Sequence, residues 1–214
     1  MTDELATVAR HAFDYPDEPP SRRHGPLGYT DYRSFKPWLR DEFSFRCILC
    51  LDRERWHPNG HEDFSVDHLE PQSVAPGQVT NYDNLLYTCC SCNRNRRAAV
   101  LPLDPCRHVL SEHLAVRQDG TIQGRTPEGT AWVRVGNLNR PLAVEFRLRM
   151  MALIELLIGL TSVASERLLE SVLGYPQDLP DLRALRPPGG NARPVGAENC
   201  CYERRLRNEL PAVY

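Results

Sequence analysis

The sequence predicts an α+β fold built on a strand, a loop, a second strand and a helix that close around one metal-binding cleft, stapled by a four-cysteine zinc site. Three features predict it. Two Cys-x-x-Cys pairs, Cys47/Cys50 and Cys89/Cys92, have the spacing of a four-thiolate zinc knot. Between them, Phe64-Ser65-Val66-Asp67-His68 alternates like a half-buried strand, and Leu85-Leu86-Tyr87-Thr88 returns to an apolar one. The second pair opens a polar stretch through Arg97 that reads as a helix. A small β unit and a long C-terminal helical extension complete the expected architecture.

The chain's 214 residues, 41% hydrophobic and 25% charged, suffice for one core of ordinary size with appended elements. Four segments are expected: an extended N-terminal arm (1–28), a metal-stapled domain (29–110), a β unit plus helical extension (111–174), and a Pro/Gly-rich linker and tail (175–214). A formal net charge of -2 excludes the global basic field of an architectural DNA binder, so any nucleic-acid contact must come from local clusters. Lys36 is the only lysine, so such clusters are arginine, whose planar fork suits phosphate. The N-terminus has no basic region followed by an apolar stretch and no small-residue cleavage site, which predicts a cytoplasmic protein. In that reducing compartment, eight cysteines favour metal ligation over a disulfide framework. The most apolar stretch, 150–160, is interrupted by Glu155 and is too short for a bilayer, so no membrane span is expected.

Along the chain, Pro16, Pro19, Pro20 and Pro26 with scattered charge make residues 1–28 read as an extended arm or mobile tail. Trp38, Leu39, Phe43 and Phe45 then mix with Arg33, Lys36, Arg40 and Arg46, which predicts a short helix after Pro37 packed on the thiol knot. Cys47 to Cys50 forms a tight knuckle, and His57-Pro58-Asn59-Gly60-His61 a loop. Pro, Gln, Gly and Asn mark 71–83 as a second loop. Thr121-Ile122-Gln123 and Ala131-Trp132-Val133-Arg134-Val135 flank Glu128-Gly129 and predict a hairpin-like β unit. Residues 142–173 show apolar side chains at helical spacing, predicting one long helix or two broken near Gly159, with Gly174 as the C-cap. Beyond 175, Pro187-Pro188-Gly189-Gly190 reads as linker and the charged stretch 202–210 as a docking helix.

Hydrolysis of a phosphodiester needs an in-line water, a base for its proton, and a cation to neutralise charge on the phosphorane and departing oxygen. The bracketed stretch offers candidates for each. At a strand end entering a loop, twist lets Asp67 face a metal while His68 faces the water. Asn93, opening the facing helix, offers an amide oxygen as a second hard ligand, and such donors suit Mg²⁺ or Mn²⁺. His68 is the expected general base, because imidazole is largely neutral and proton-accepting near neutral pH. Asn84 is expected to hydrogen-bond across the loop and fix the His68 backbone. Arg94, Arg96 and Arg97 are expected to hold flanking phosphates. Cys90 competes with Cys89 for the metal, but only Cys89 keeps the two-residue spacing to Cys92. His57 and His61 read as surface histidines, Cys106, Cys200 and Cys201 as free or buried thiols, and Glu70, His108 and His113 as residues outside the site.

Taken in order, Cys-x-x-Cys, Asp-His, Asn-Leu and Cys-x-x-Cys-Asn-x-x-basic, over residues 47–97, resemble the HNH endonucleases with the ββα-metal (His-Me) finger. The resemblance implies His68 as general base, Asp67 as the preceding metal ligand, Asn84 as the central asparagine and Asn93 at the third motif position. It implies a structural Zn²⁺ on Cys47, Cys50, Cys89 and Cys92, and DNA as the partner, cut or nicked with a divalent cation. Asparagine at the third position, where many members have histidine, makes this an HNN-type variant. Arg96 stands where lysine is frequent, and the common Gly-Gly of the loop is reduced to Pro76-Gly77. The residues beyond the finger resemble extensions of bacterial HNH proteins, some in defence systems, which implies a protein partner in a defence complex. A non-catalytic zinc-dependent nucleic-acid-binding or scaffold protein is the open alternative, beside an adaptor working through the C-terminal helix. One site cuts one strand per engagement, so a double-strand break calls for a dimer or two nicks, and the oligomeric state stays open.

Overall fold

A computed structural model describes residues 3–160 and 162–214. In chain order its elements are α1 (Asp3–Arg10), α2 (Lys36–Glu42), β1 (Phe64–His68), β2 (Leu85–Cys89), α3 (Cys90–Arg96), α4 (Leu110–His113), β3 (Leu114–Val116), β4 (Ile122–Gly124), α5 (Pro127–Val135), α6 (Pro141–Gly159), α7 (Val163–Leu173), α8 (Pro194–Glu198) and α9 (Cys201–Leu206). The fold is α+β, with two antiparallel sheets of two strands each among the described residues. β1 and β2 pair with Phe64 opposite Cys89 and His68 opposite Leu85. The helix α3 begins at the residue after β2 ends. Cys89 serves both: its extended backbone closes the strand, and its sulfur accepts the Cys92 N–H at 3.4 Å as the helix N-cap.

Burial follows from the apolar pattern. Phe64 stacks on Tyr87 with ring centroids 5.2 Å apart, and both join Trp38, Leu39 and Leu85 in the main core. Pro37 sits in the first turn of α2, where its missing N–H costs nothing. The same helix buries charge: Arg40 forks onto Glu54 at 3.0 and 2.9 Å, and Tyr87 donates to that carboxylate at 2.6 Å. A buried pair hydrogen-bonded on both sides in this way is tolerated where a lone charge is not.

Three expectations change, and a fourth, left between one helix and two, takes its second form. The N-terminal segment is no extended arm: α1 docks on α6 and α7, burying Leu5, Ala9 and Ala12 with Ile154, Leu157, Leu169 and Leu173. Leu5, Ala6 and Ala9 form one apolar face, with Asp3 and Glu4 in the first turn and Arg10 in the last, so the segment has a helix dipole match and a face to bury. Residues 1 and 2 of that segment lie outside the described residues. The β unit pairs 114–116 with 122–124, while 131–135 is helical. Thr126 caps that helix by accepting the Gly129 N–H and Pro127 opens it, signals that outweigh the strand propensity of Trp132, Val133 and Val135. The long helical stretch is two helices, broken after Gly159, with a Ser162/Ser165 capping box starting the second. Thr161 lies outside the described residues. The tail is no free linker. Gly28, at φ 84, passes so close to Gly189 that a Cβ there would lie 2.4 Å from its nitrogen, and Gly174 bridges to Val213.

Both terminal segments converge on the end of α2. Glu42 accepts the backbone N–H of Arg23 and of His24 and the Tyr82 hydroxyl, at 2.6, 3.0 and 2.9 Å. Asp41, fully buried, accepts from His24 and from the Cys201 N–H at 2.9 and 2.7 Å and pairs with Arg23 at 3.0 Å. Burial alone would raise the Asp41 carboxyl, but the His24 hydrogen bond and the Arg23 charge hold it below the usual carboxylate range. A carboxylate held low contributes stability that is full above about pH 4 and lost as pH falls through its folded value. Asp41→Asn is therefore expected to cost roughly 3 kcal/mol in urea unfolding at neutral pH, the gap to wild type shrinking below about pH 4.

Candidate metal centre and catalytic cleft

The knuckle and the β2–α3 junction bring four thiols together. The Sγ atoms of Cys47, Cys50, Cys89 and Cys92 lie within 4.8 Å of one another, and each residue is at most 2% exposed. Cys50 and Cys89 are 3.8 Å apart, the edge of a tetrahedron with metal–sulfur bonds of about 2.3 Å. All are free thiols. Burial pushes the Cys50 thiol well up, and the neighbouring thiols push it further. Burial works the same way on Cys47, yet hydrogen bonds from Cys50, Cys89 and Cys92 hold it well below the ordinary thiol range. Four sulfurs so arranged make a donor set that suits a thiophilic ion such as Zn²⁺.

At the far end of β1, a cleft of about 330 Å³ is lined by Asp67, His68, Asn93, Arg97, Gln72 and Tyr32. His68 Nε2 donates to the Val79 carbonyl at 3.0 Å. A carbonyl only accepts, so Nε2 carries the proton and Nδ1 is the acceptor, met by the Gln72 amide N–H in a long contact at 3.5 Å. The Tyr32 ring meets the imidazole edge to face, centroids 4.8 Å apart. Asn84 binds the loop that carries Val79: its side chain accepts the Glu70 N–H at 2.9 Å and donates to the Glu70 and Gln78 carbonyls at 3.1 and 3.2 Å. It clamps the loop at its start and at the residue just before His68's partner, with no side-chain bond to the His68 backbone itself.

Along the same cleft, two residues of α3 meet two of the strand. Asn93 Nδ2 donates to Ser65 Oγ at 2.9 Å. Arg96 Nη1 lies 2.6 Å from Asp67 Oδ2 while Asp67 Oδ1 accepts the His68 N–H at 2.8 Å. This corrects the expectation that Arg96 holds substrate phosphate. It is 2% exposed, and it donates to the Leu69 and Ala99 carbonyls at 2.8 and 2.9 Å, so its charge is spent inside the protein. Arg94 and Arg97 remain exposed, and Arg97 lines the cleft from a backbone at φ 56 that caps α3. The Arg96 approach lies off the hydrogen-bond direction, and Asp67 Oδ2 is a buried oxygen with no hydrogen bond from a described residue. That oxygen and the Asn93 amide oxygen are hard donors in one cleft, a set that fits Mg²⁺ or Mn²⁺.

Residue patterns did not single out Tyr32, Val79 or Arg140. Val79 acts through a backbone carbonyl, which has no side-chain signature. Arg140, the N-cap of α6, donates at 2.8 Å to Ser91 Oγ, which lies between Cys89 and Cys92 in sequence. Burial opposes its charge, but Cys92, Cys50 and Cys89 outweigh it and raise the guanidinium pKa. Elsewhere, Cys90 points to the Glu62 carbonyl at 3.8 Å, outside the thiol cluster, and His61 and His57 face Asp178 and Asp52 at 3.4 and 3.5 Å.

Elemental analysis of the purified chain is expected to find one zinc per molecule, lost in Cys92→Ser together with the thermal unfolding transition of the wild type. A metal-free wild type with an unchanged transition would contradict the assignment of these thiols as ligands.

Among the described residues no helix is long and apolar enough to cross a membrane. A comparison with curated proteins finds no match. Residues 47–98 match the family model described as HNH endonuclease. The matched stretch begins at the first thiol of the knot and ends just past Arg97, so it takes in both strands, the clamped loop and α3, and leaves α1, α2 and everything from α4 onward as additions. Over this segment the chain carries a domain of the HNH endonuclease family.

Proposed function

We propose that the chain is a metal-dependent DNA endonuclease that hydrolyses phosphodiester bonds with His68 as general base, a divalent cation (Mg²⁺ or Mn²⁺) on Asp67 and Asn93, and a structural Zn²⁺ on Cys47, Cys50, Cys89 and Cys92. The observation that carries the reading is the Nε2–H bond to Val79, which leaves His68 Nδ1 as the lone pair facing the cleft. In this reading Nδ1 takes the proton of the attacking water as the water oxygen bonds to phosphorus, and the imidazolium is steadied by the Val79 carbonyl. Asn84 serves by holding the loop so that this carbonyl does not drift. The divalent cation supplies Lewis-acid neutralisation of charge on the phosphorane and the departing oxygen. Arg97 at the rim and Arg94 on the exposed side of α3 hold adjacent phosphates and give binding its salt dependence.

One observation favours the non-catalytic alternative, a zinc-dependent nucleic-acid-binding or scaffold protein. The Arg96 guanidinium beside Asp67 already neutralises the carboxylate meant for the metal. The two readings part in one experiment. Supercoiled plasmid incubated with the protein in Mg²⁺, Mn²⁺ or EDTA is expected to be relaxed or linearised only with metal, and His68→Ala is expected to reduce the rate at least about 100-fold with DNA binding and zinc content kept. Equal cutting by His68→Ala would remove His68 as the base, and a folded, zinc-loaded wild type that binds but never cuts DNA would favour the alternative.

A further inference from the structure

We propose that Tyr32, outside the HNH segment, is a positioning residue for the reaction at His68, an inference that rests on reading His68 as the base. The imidazole has one firm polar anchor, Nε2 on the Val79 carbonyl. A single ordinary hydrogen bond favours one ring orientation by about tenfold, and a flip of the ring about its Cβ–Cγ bond would carry Nδ1 out of the cleft and put a carbon in its place. The Tyr32 ring removes that freedom. It stands at 69° to the imidazole with centroids 4.8 Å apart, close enough to block the flip and to keep water from that side.

Tyr32 is itself held in place. It opens a 3-10 turn capped by Asp31, whose side chain accepts the Arg33 N–H at 2.9 Å. The turn is nailed to the core by Phe35, 1% exposed, which packs on Tyr82 at 5.7 Å. Tyr82 and Asn84 lie in one 3-10 turn, so the wall behind the imidazole and the clamp on its partner loop share one support. The Tyr32 hydroxyl makes no hydrogen bond to a described residue, so the ring body is the working part.

The test compares Tyr32→Ala and Tyr32→Phe by turnover on plasmid and by nitrogen NMR of the His68 ring, which reports the tautomer with or without activity. Tyr32→Ala is expected to lower kcat about 10- to 100-fold with KM within about twofold, and, because a flipped ring loses the Val79 carbonyl that selects Nε2–H, to replace the single Nε2–H signature with an averaged one. Tyr32→Phe is expected to match the wild type in both. Unchanged kcat and tautomer in Tyr32→Ala would overturn the proposal, as would a raised KM at constant kcat, which would make Tyr32 a substrate contact. If His68→Ala cuts as well as wild type, the base assignment fails, and the NMR arm still decides whether Tyr32 fixes the ring.

Discussion

Four buried thiols, from the knuckle at Cys47–Cys50 and from the junction of β2 and α3, meet at one point and lock those elements together. Cys50 and Cys89 are 39 residues apart in sequence and 3.8 Å apart in space, so the knuckle and the end of β2 cannot separate while the knot holds. Because Cys89 is also the N-cap of α3, the knot fixes where that helix starts and hence its rotational phase. Residues three apart on a helix and two apart on a strand share a face, which is how Asn93 and Arg96 come to lie over Ser65 and Asp67. A one-residue slip of β1 would turn Ser65 and Asp67 to the opposite face and dissolve both contacts.

The second determinant is charge inside the cleft. Asp67 is 6% exposed and would be costly to bury alone, and the Arg96 guanidinium supplies the compensation without a metal. Arg96 is held by carbonyls on both sides, from Leu69 and Ala99, so the loop after β1 and the end of α3 are tied through it. Residues outside the HNH segment finish the site. Tyr32 walls the imidazole, and Arg140 brings a positive charge from the start of α6 to the thiol knot.

The legible part of the sequence was the part governed by short-range rules. Cysteine spacing, alternation in Phe64–His68 and the turn residues of 71–83 are local signals, and they located β1, β2, α3 and the thiol cluster. Pro37 and Gly174 marked helix ends for the same reason. What was not legible depends on long-range burial. The prolines at 16–26 masked the apolar face of α1, whose partners lie about 150 residues away in α6 and α7. The segment 131–135 has strand-like residues but sits behind a Thr126 cap and Pro127, and the cap decides. At the site, Arg96 reads as a phosphate ligand from composition alone; only its depth beside Asp67 reveals a different use.

The proposed function needs two separate metal sites, a soft-ligand site that builds the fold and a hard-ligand site that serves the reaction. Anomalous diffraction at the zinc and manganese edges, from crystals soaked in Mn²⁺, tests it most directly. A zinc peak is expected among Cys47, Cys50, Cys89 and Cys92, with a separate manganese peak beside Asp67 and Asn93 that disappears in Asp67→Ala. Manganese found nowhere near Asp67, or zinc absent from the thiols of the folded protein, would contradict it.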